Sequence, residues 1–135
     1  MGASSNSKPA FLNVDLEIES TVRLDKLVAE LGKRVLVLHF GPGPRGKRHF
    51  VSLEVHGQYK NPDATIHAFC NIIEKLTRSG RKIWKAAEKE FNVGFELRSS
   101  ERISEFSLQP KTLKRISQLG AGLAVTYYNS ALITR

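Results

Sequence analysis

Leu12, Val14, Leu16 and Ile18 alternate with Asn13, Asp15, Glu17 and Glu19. A period of two predicts a strand with one apolar and one wet face. Leu24, Leu27, Val28 and Leu31 then recur at helical spacing, and Gly32 supplies a stop. Val35 to Phe40 is a near-continuous apolar run of strand length, broken by Gly41-Pro-Gly-Pro-Arg-Gly46. Phe50 to His56 alternates again, with Val51, Leu53 and Val55 on one face, so the two runs predict a hairpin. Asn61-Pro62-Asp63 reads as a helix start: a capping side chain, Pro in the first turn, and an acid near the positive end of the dipole. Ile66, Phe69, Cys70, Ile73 and Leu76 mark its buried stripe, and Ser79-Gly80 punctuates it before a second helical segment through Ile83, Trp84 and Ala87. Phe91, Val93, Phe95 and Leu97 alternate as a strand. A further strand is expected over 102–109 with Phe106 and Leu108 inward, then a helix opened by Pro110 and closed by Gly120. Leu123 to Tyr128 forms the last strand, with Tyr127 and Tyr128 on opposite faces.

The order β-α-β-β-α-α-β-β-α-β predicts an α+β fold, with a single sheet of about six strands and helices packed on one face. Leu31-Gly32-Lys-Arg-Val35 and Leu119-Gly120-Ala-Gly-Leu123 align, and Leu16-Glu-Ile18 sits opposite Phe106-Ser-Leu108. This is the pattern of a duplicated β-α-β unit, although glycine closes many unrelated helices. Residues 10–130 are expected to be one domain. The stretches 1–9 and 131–135, small and polar or short, are expected to be tails.

Composition adds limits. Apolar residues make up 41% and charged residues 25% of 135 positions, which is ordinary globular usage. No apolar run is long enough for a membrane-spanning helix, so no membrane partner is expected. The lone Cys70 excludes an internal disulfide and fits a reducing cytoplasm; on the apolar face beside Phe69 it reads as an inert core thiol. A net charge of +8 favours anionic partners at long range.

The segment from Gly41 to Lys47 satisfies both G-x-G-x-x-G and G-x-x-x-x-G-K. Both phosphate sites need a helix directly after the glycines. Here a strand pattern follows, Pro42 and Pro44 remove two donors, and Arg48 stands where a hydroxyl is required. A basic hairpin tip is the better reading, and no cofactor is expected. His39, His49, His56 and His67 show no metal-ligand spacing, so no metal site is assigned.

Two charge patterns remain. Asp15, Glu17 and Glu19 share one strand face, and Glu54 joins them if the strands are neighbours. Carboxylates at i and i+2 stand roughly 7 Å apart. That spacing suits a contact surface for a basic protein, or, as the least favoured alternative, a small enzyme with a carboxylate pair. Arg78, Lys82, Lys85 and Lys89 recur at helical spacing, with Lys114 and Arg115 in a second cluster. Such a row tracks phosphates or is simply a solvated helix face, with Glu88 and Glu90 as interleaved ion pairs.

Phe11-Leu-Asn-Val-Asp-Leu-Glu-Ile-Glu-Ser20, Phe69-Cys70, Phe91-Asn-Val-Gly-Phe95 and Leu119-Gly-Ala-Gly-Leu-Ala-Val-Thr-Tyr127 together resemble a group of small bacterial α+β proteins of unknown function. The resemblance covers most of residues 11–129 and implies a bacterial, cytoplasmic, single-domain protein. It carries over no functional residue. Proteins of this size and class often bind other bacterial proteins, for example as immunity proteins to toxins. The expectation is therefore a non-catalytic module that binds another macromolecule, an inhibitor or immunity-type protein being one form, using Asp15, Glu17, Glu19 and Glu54. The alternative is a nucleic-acid binder using Arg78, Lys82, Lys85, Lys89, Lys114 and Arg115. A homodimer is compatible with either.

Overall fold

The structure, a computed structural model, describes residues 10–44, 48–97 and 105–129. The expected tails at 1–9 and 131–135 and the hairpin tip at 45–47 lie outside the described residues. The elements run β1 (Ala10–Ser20), α1 (Asp25–Leu31), a 3-10 turn (Gly32–Arg34), β2 (Val35–Pro42), β3 (His49–Val55), α2 (Pro62–Ile73), α3 (Arg78–Ala86), β4 (Glu88–Leu97), α4 (Pro110–Gln118) and β5 (Gly122–Asn129). The fold is α+β: one mixed five-stranded sheet in the order β2-β3-β1-β4-β5. Strand β1 is antiparallel to both β3 and β4, and β5 runs parallel to β4.

This order follows from the alternation. Val14, Leu16 and Ile18 of β1 are completely buried, with Val51 and Leu53 beside them on β3 and Phe91 and Val93 on β4. The strand with the strictest alternation is thus the central one, and its apolar side is the floor of the core. Leu27, Leu31, Ile66, Phe69, Cys70, Ile73, Trp84 and Ile116 roof that floor from the helices. Phe69 meets Phe91 edge-on at 5.6 Å. β1-α1-β2 and β3-α2-α3-β4 are interleaved split β-α-β units, the ferredoxin-like arrangement. Helix α4 and β5 extend it on the β4 side.

Three local expectations differ from what is found. Of the strand expected over 102–109, residues 102–104 lie outside the described residues and 105–109 are not a strand; Phe106 and Leu108 do pack on the core, ahead of α4. One-sided burial alone produced their alternation. The repeat of Leu16-Glu-Ile18 at Phe106-Ser-Leu108 therefore does not correspond to a repeated strand. The helical break falls before Ser79-Gly80: α2 ends at Ile73, and Thr77 caps α3, its hydroxyl accepting from the Gly80 N–H at 3.2 Å. Gly80 lies inside α3 because a Cβ there would run into the Glu30 carboxylate, which the Thr77 hydroxyl holds at 2.9 Å. Lastly, α3 stops at Ala86, so Glu88, Lys89 and Glu90 belong to β4 rather than to a helix.

The Asn61 cap is as expected, its side chain accepting from the Ala64 N–H at 2.8 Å. The apolar run over 35–40 occupies an edge strand: Leu36, Val37, Leu38 and Phe40 are all exposed. Tyr127 and Tyr128 on the opposite edge are both exposed as well. Among the described residues, no helix is long and apolar enough to cross a membrane.

Candidate functional site: an acidic sheet face

The face of the sheet away from the helices is set by register. Asp15 stands opposite Glu54 on β3 and Asn92 on β4. Glu17 stands opposite Ser52 and Glu90, and Glu19 opposite Phe50 and Glu88. Three acid–acid pairs thus stack along the centre of the sheet. They hold six of the chain's 13 acidic residues, in a protein of net charge +8. Like charges directly opposite each other destabilise a sheet, because their Cβ atoms are fixed about 4.5–5.5 Å apart.

The three pairs are compensated unequally. Arg48 bridges Glu88 at 3.1 Å and approaches Glu19 at 3.9 Å. The Asn13 amide donates to Asp15 Oδ1 at 3.1 Å and also to Glu54 Oε2, tying one pair together without neutralising it. Among the described residues, the Glu17–Glu90 pair has neither a cation nor a hydrogen bond. The carboxyls respond accordingly. Asp15 is pushed up to about 6, by burial first and then by Glu54 and Glu17. Glu17 is also raised, by burial and then by Glu90. Beside this core of charge, Thr126 donates to Asn92 at 2.8 Å and extends the polar surface to β5.

Asp15, Glu17, Glu19 and Glu54, expected from the alternation, are therefore brought together. Glu88 and Glu90 belong with them, opposite Glu19 and Glu17, and not among the ion pairs of a helix. The alternation of Phe91, Val93 and Phe95, extended two residues back, would have put both acids on the wet face. Among the described residues, no group of His, Cys, Asp and Glu is arranged to hold a metal ion. The acids are spread over three strands, while a hard cation needs oxygens converging at about 2.3–2.6 Å.

The basic residues separate into different roles. Arg78, Lys82 and Lys85 are exposed on α3 as expected. Lys89 is not on that helix. It projects from β4 on the helix side, its ammonium 5.2 Å from the centre of the Trp84 ring. Arg115 is a structural clamp between α4 and α2, bonded to His67, Asn71 and Glu74 at 2.9 Å each. Lys114 is exposed on α4. His67 completes the clamp through the Thr112 hydroxyl at 3.2 Å, and Thr112 donates to Asp63. Cys70 is buried, and burial pushes its thiol up to about 11, which makes it a packing group.

After Arg48 the chain enters strand β3, so the glycine-rich segment has no following helix to hold a phosphate. On the hairpin, His39 stands opposite Ser52 and His49 opposite Pro42. No family model matches the chain, and no match is found among curated proteins or among solved structures.

Proposed function

We propose that this protein is a non-catalytic binding module whose open sheet face docks on a basic surface of another protein. One observation carries the reading: three acid–acid cross-strand pairs occupy the centre of the sheet, and only one is served by an arginine. An arrangement that costs stability, in a chain with eight more cations than anions, marks a surface shaped by something other than folding. Lysine and arginine side chains of a partner would relieve both uncompensated pairs at once. An inhibitor or immunity-type role is the finer form of the same proposal and rests on the analogy of size and fold class, while a bacterial cytoplasm rests on the resemblance described above. A nucleic acid is the wrong partner for this face: single-strand binders present aromatics and cations on the open sheet, and here it is acidic.

Carbodiimide coupling tests the proposal, because it joins carboxylates only to amines in direct contact. The wild-type protein and a Glu17→Gln/Glu54→Gln variant are each incubated with an extract of the native host, coupled, captured and analysed by mass spectrometry. The expected outcome is a basic protein joined through a lysine to Asp15, Glu17, Glu54 or Glu90, lost in the variant and weakened at high salt. Coupled partners that are acidic, or that are identical for both proteins, would overturn it.

A further inference from the structure

The helix side carries a second charged surface that is independent of the sheet face. Arg78, Arg81, Lys82 and Lys85 line one groove with Leu76. A second groove of about 570 Å³ shares Leu76, Arg81 and Lys85 and continues past Trp84 to Lys89 and Gly120 at the end of α4. The two are contiguous, so five cations follow one recessed path. None of them forms an ion pair within the described residues. The acid that borders the path, Glu74, is held by Arg115 at 2.9 Å. Glu88 and Glu90, on the same strand as Lys89, face the other side of the sheet.

Lys89 distinguishes this path from an ordinary solvated helix face. Its ammonium is drawn in over the Trp84 ring, beside the open side of Gly120, rather than extended into water. Trp84 is itself fixed, its indole N–H donating to the Leu119 carbonyl at 2.9 Å. Desolvation lowers the Lys89 pKa. An ammonium held this way, without a carboxylate and with Lys85 and Arg81 lining the same groove, is short of an anion. Helix α3 has nine residues and is about 13 Å long, which spans about two phosphate spacings of an extended strand.

We infer that the path from Arg78 along α3 to Lys89 holds the phosphodiester backbone of a single-stranded nucleic acid. At its Lys89 end the path runs between the ends of α2 and α4, a recess that a flexible single strand follows more readily than a stiff duplex. Arg81 joins the cations that the helical spacing singled out, through Nε and Nη1, since its Nη2 donates to the Glu74 and Leu76 carbonyls at 3.1 and 3.3 Å; Arg115 leaves them because the α2–α4 clamp consumes its guanidinium.

Fluorescence anisotropy with labelled 20-nucleotide mixed-sequence DNA, RNA of the same sequence, and the DNA duplex tests this between 50 and 300 mM salt. Neutralising roughly three to five phosphates along the path predicts a log–log salt slope of about −2 to −3.5 for the single strands, at ~0.7 per phosphate. Lys85→Gln/Lys89→Gln should weaken binding at least tenfold and reduce the slope by about 1.4. Lys33→Gln/Lys60→Gln makes the same change in net charge away from the path and should shift affinity less than threefold. Thermal melts of all three proteins confirm that they are folded. The relative strength of the DNA and RNA arms identifies which strand the path prefers. Equal losses in the two double variants would reduce the binding to net charge and overturn the inference, as would binding that ignores salt. A duplex bound as tightly as the strands would overturn the single-strand assignment.

Discussion

The two sides of the sheet both gather like charges, but they do so on different supports. On the open side, Asp15, Glu17, Glu54 and Glu90 are rooted in paired strands on short stems, so register fixes their separation. Their Cβ atoms cannot move apart, so much of the repulsion stays within the protein. On the helix side, Arg78, Lys82 and Lys85 sit at the ends of long stems that can spread into water, and most of their mutual repulsion dissipates there. Like charge locked into a sheet is therefore the stronger sign of a function. Like charge along a helix gains weight only where a member such as Lys89 is held out of water.

Both sides hang on one core, and the largest effect should come from opening it. Phe69 is 1% exposed and contacts Phe91 beneath the centre of the sheet. Phe69→Ala should cost about 3–5 kcal/mol by urea denaturation. A loss under about 1 kcal/mol would mean that α2 does not roof the sheet as described. Arg115→Ala comes next, at about 1–3 kcal/mol, because it strands Glu74 and His67 at the α2–α4 contact. This variant also sharpens the contrast among the cations. It should lower stability more than Lys85→Gln/Lys89→Gln does, while the Glu74 carboxylate it frees at the edge of the α3 path weakens strand binding as well.

Much of this was legible in the residues. The strict alternation around Leu16 gave the central strand and its acidic face, and the stripe through Ile66, Phe69 and Ile73 gave the main roof helix. What escaped was everything decided by a tertiary neighbour. Gly80 looked like a helix breaker until Glu30 was placed against it. Phe106 and Leu108 looked like a strand because burial on one side produces alternation with or without a pairing edge. The apolar run from Leu36 to Phe40 reads as a hairpin strand, and nothing local shows that it lies exposed at the edge. Glu88 and Glu90 were assigned to a helix because the basic spacing continued across its true end at Ala86, carrying the reading past the start of β4. For the same reason the pattern shows four residues of the acidic site instead of six and leaves out the uncompensated Glu17–Glu90 pair, the most informative contact on that face.

The smallest expected effect tests the comparison most directly, because its sign is opposite to that of an ordinary substitution. Asp15 titrates near 6 in the folded protein and at 3.8 when unperturbed. A carboxyl whose folded value is raised favours the folded state below its unfolded value, and that stability is lost as pH rises through about 6. At neutral pH the ionised carboxylate is therefore a net cost. The full shift is discounted for solvent screening because the group is only half-buried, leaving about 1 kcal/mol. Asp15→Asn keeps an oxygen to accept from the Asn13 amide and removes the charge, so it should raise stability at pH 7.5 by about that amount. The advantage should shrink through pH 6 and vanish by about pH 4, where the wild-type carboxyl is protonated. On the helix side the trend is reversed. The His67 pKa is lowered by burial and by Arg115, so its contribution is present above the unfolded value of about 6.5 and lost as pH falls. His67 is common to both proteins, so subtracting wild type from variant at each pH isolates the sheet face. Thermal melts from pH 4 to 7.5 read that difference. A variant that is less stable than wild type at pH 7.5, or one whose advantage is independent of pH, would show that the acidic pairs are relaxed in the free protein and would remove the reason for assigning them to a partner.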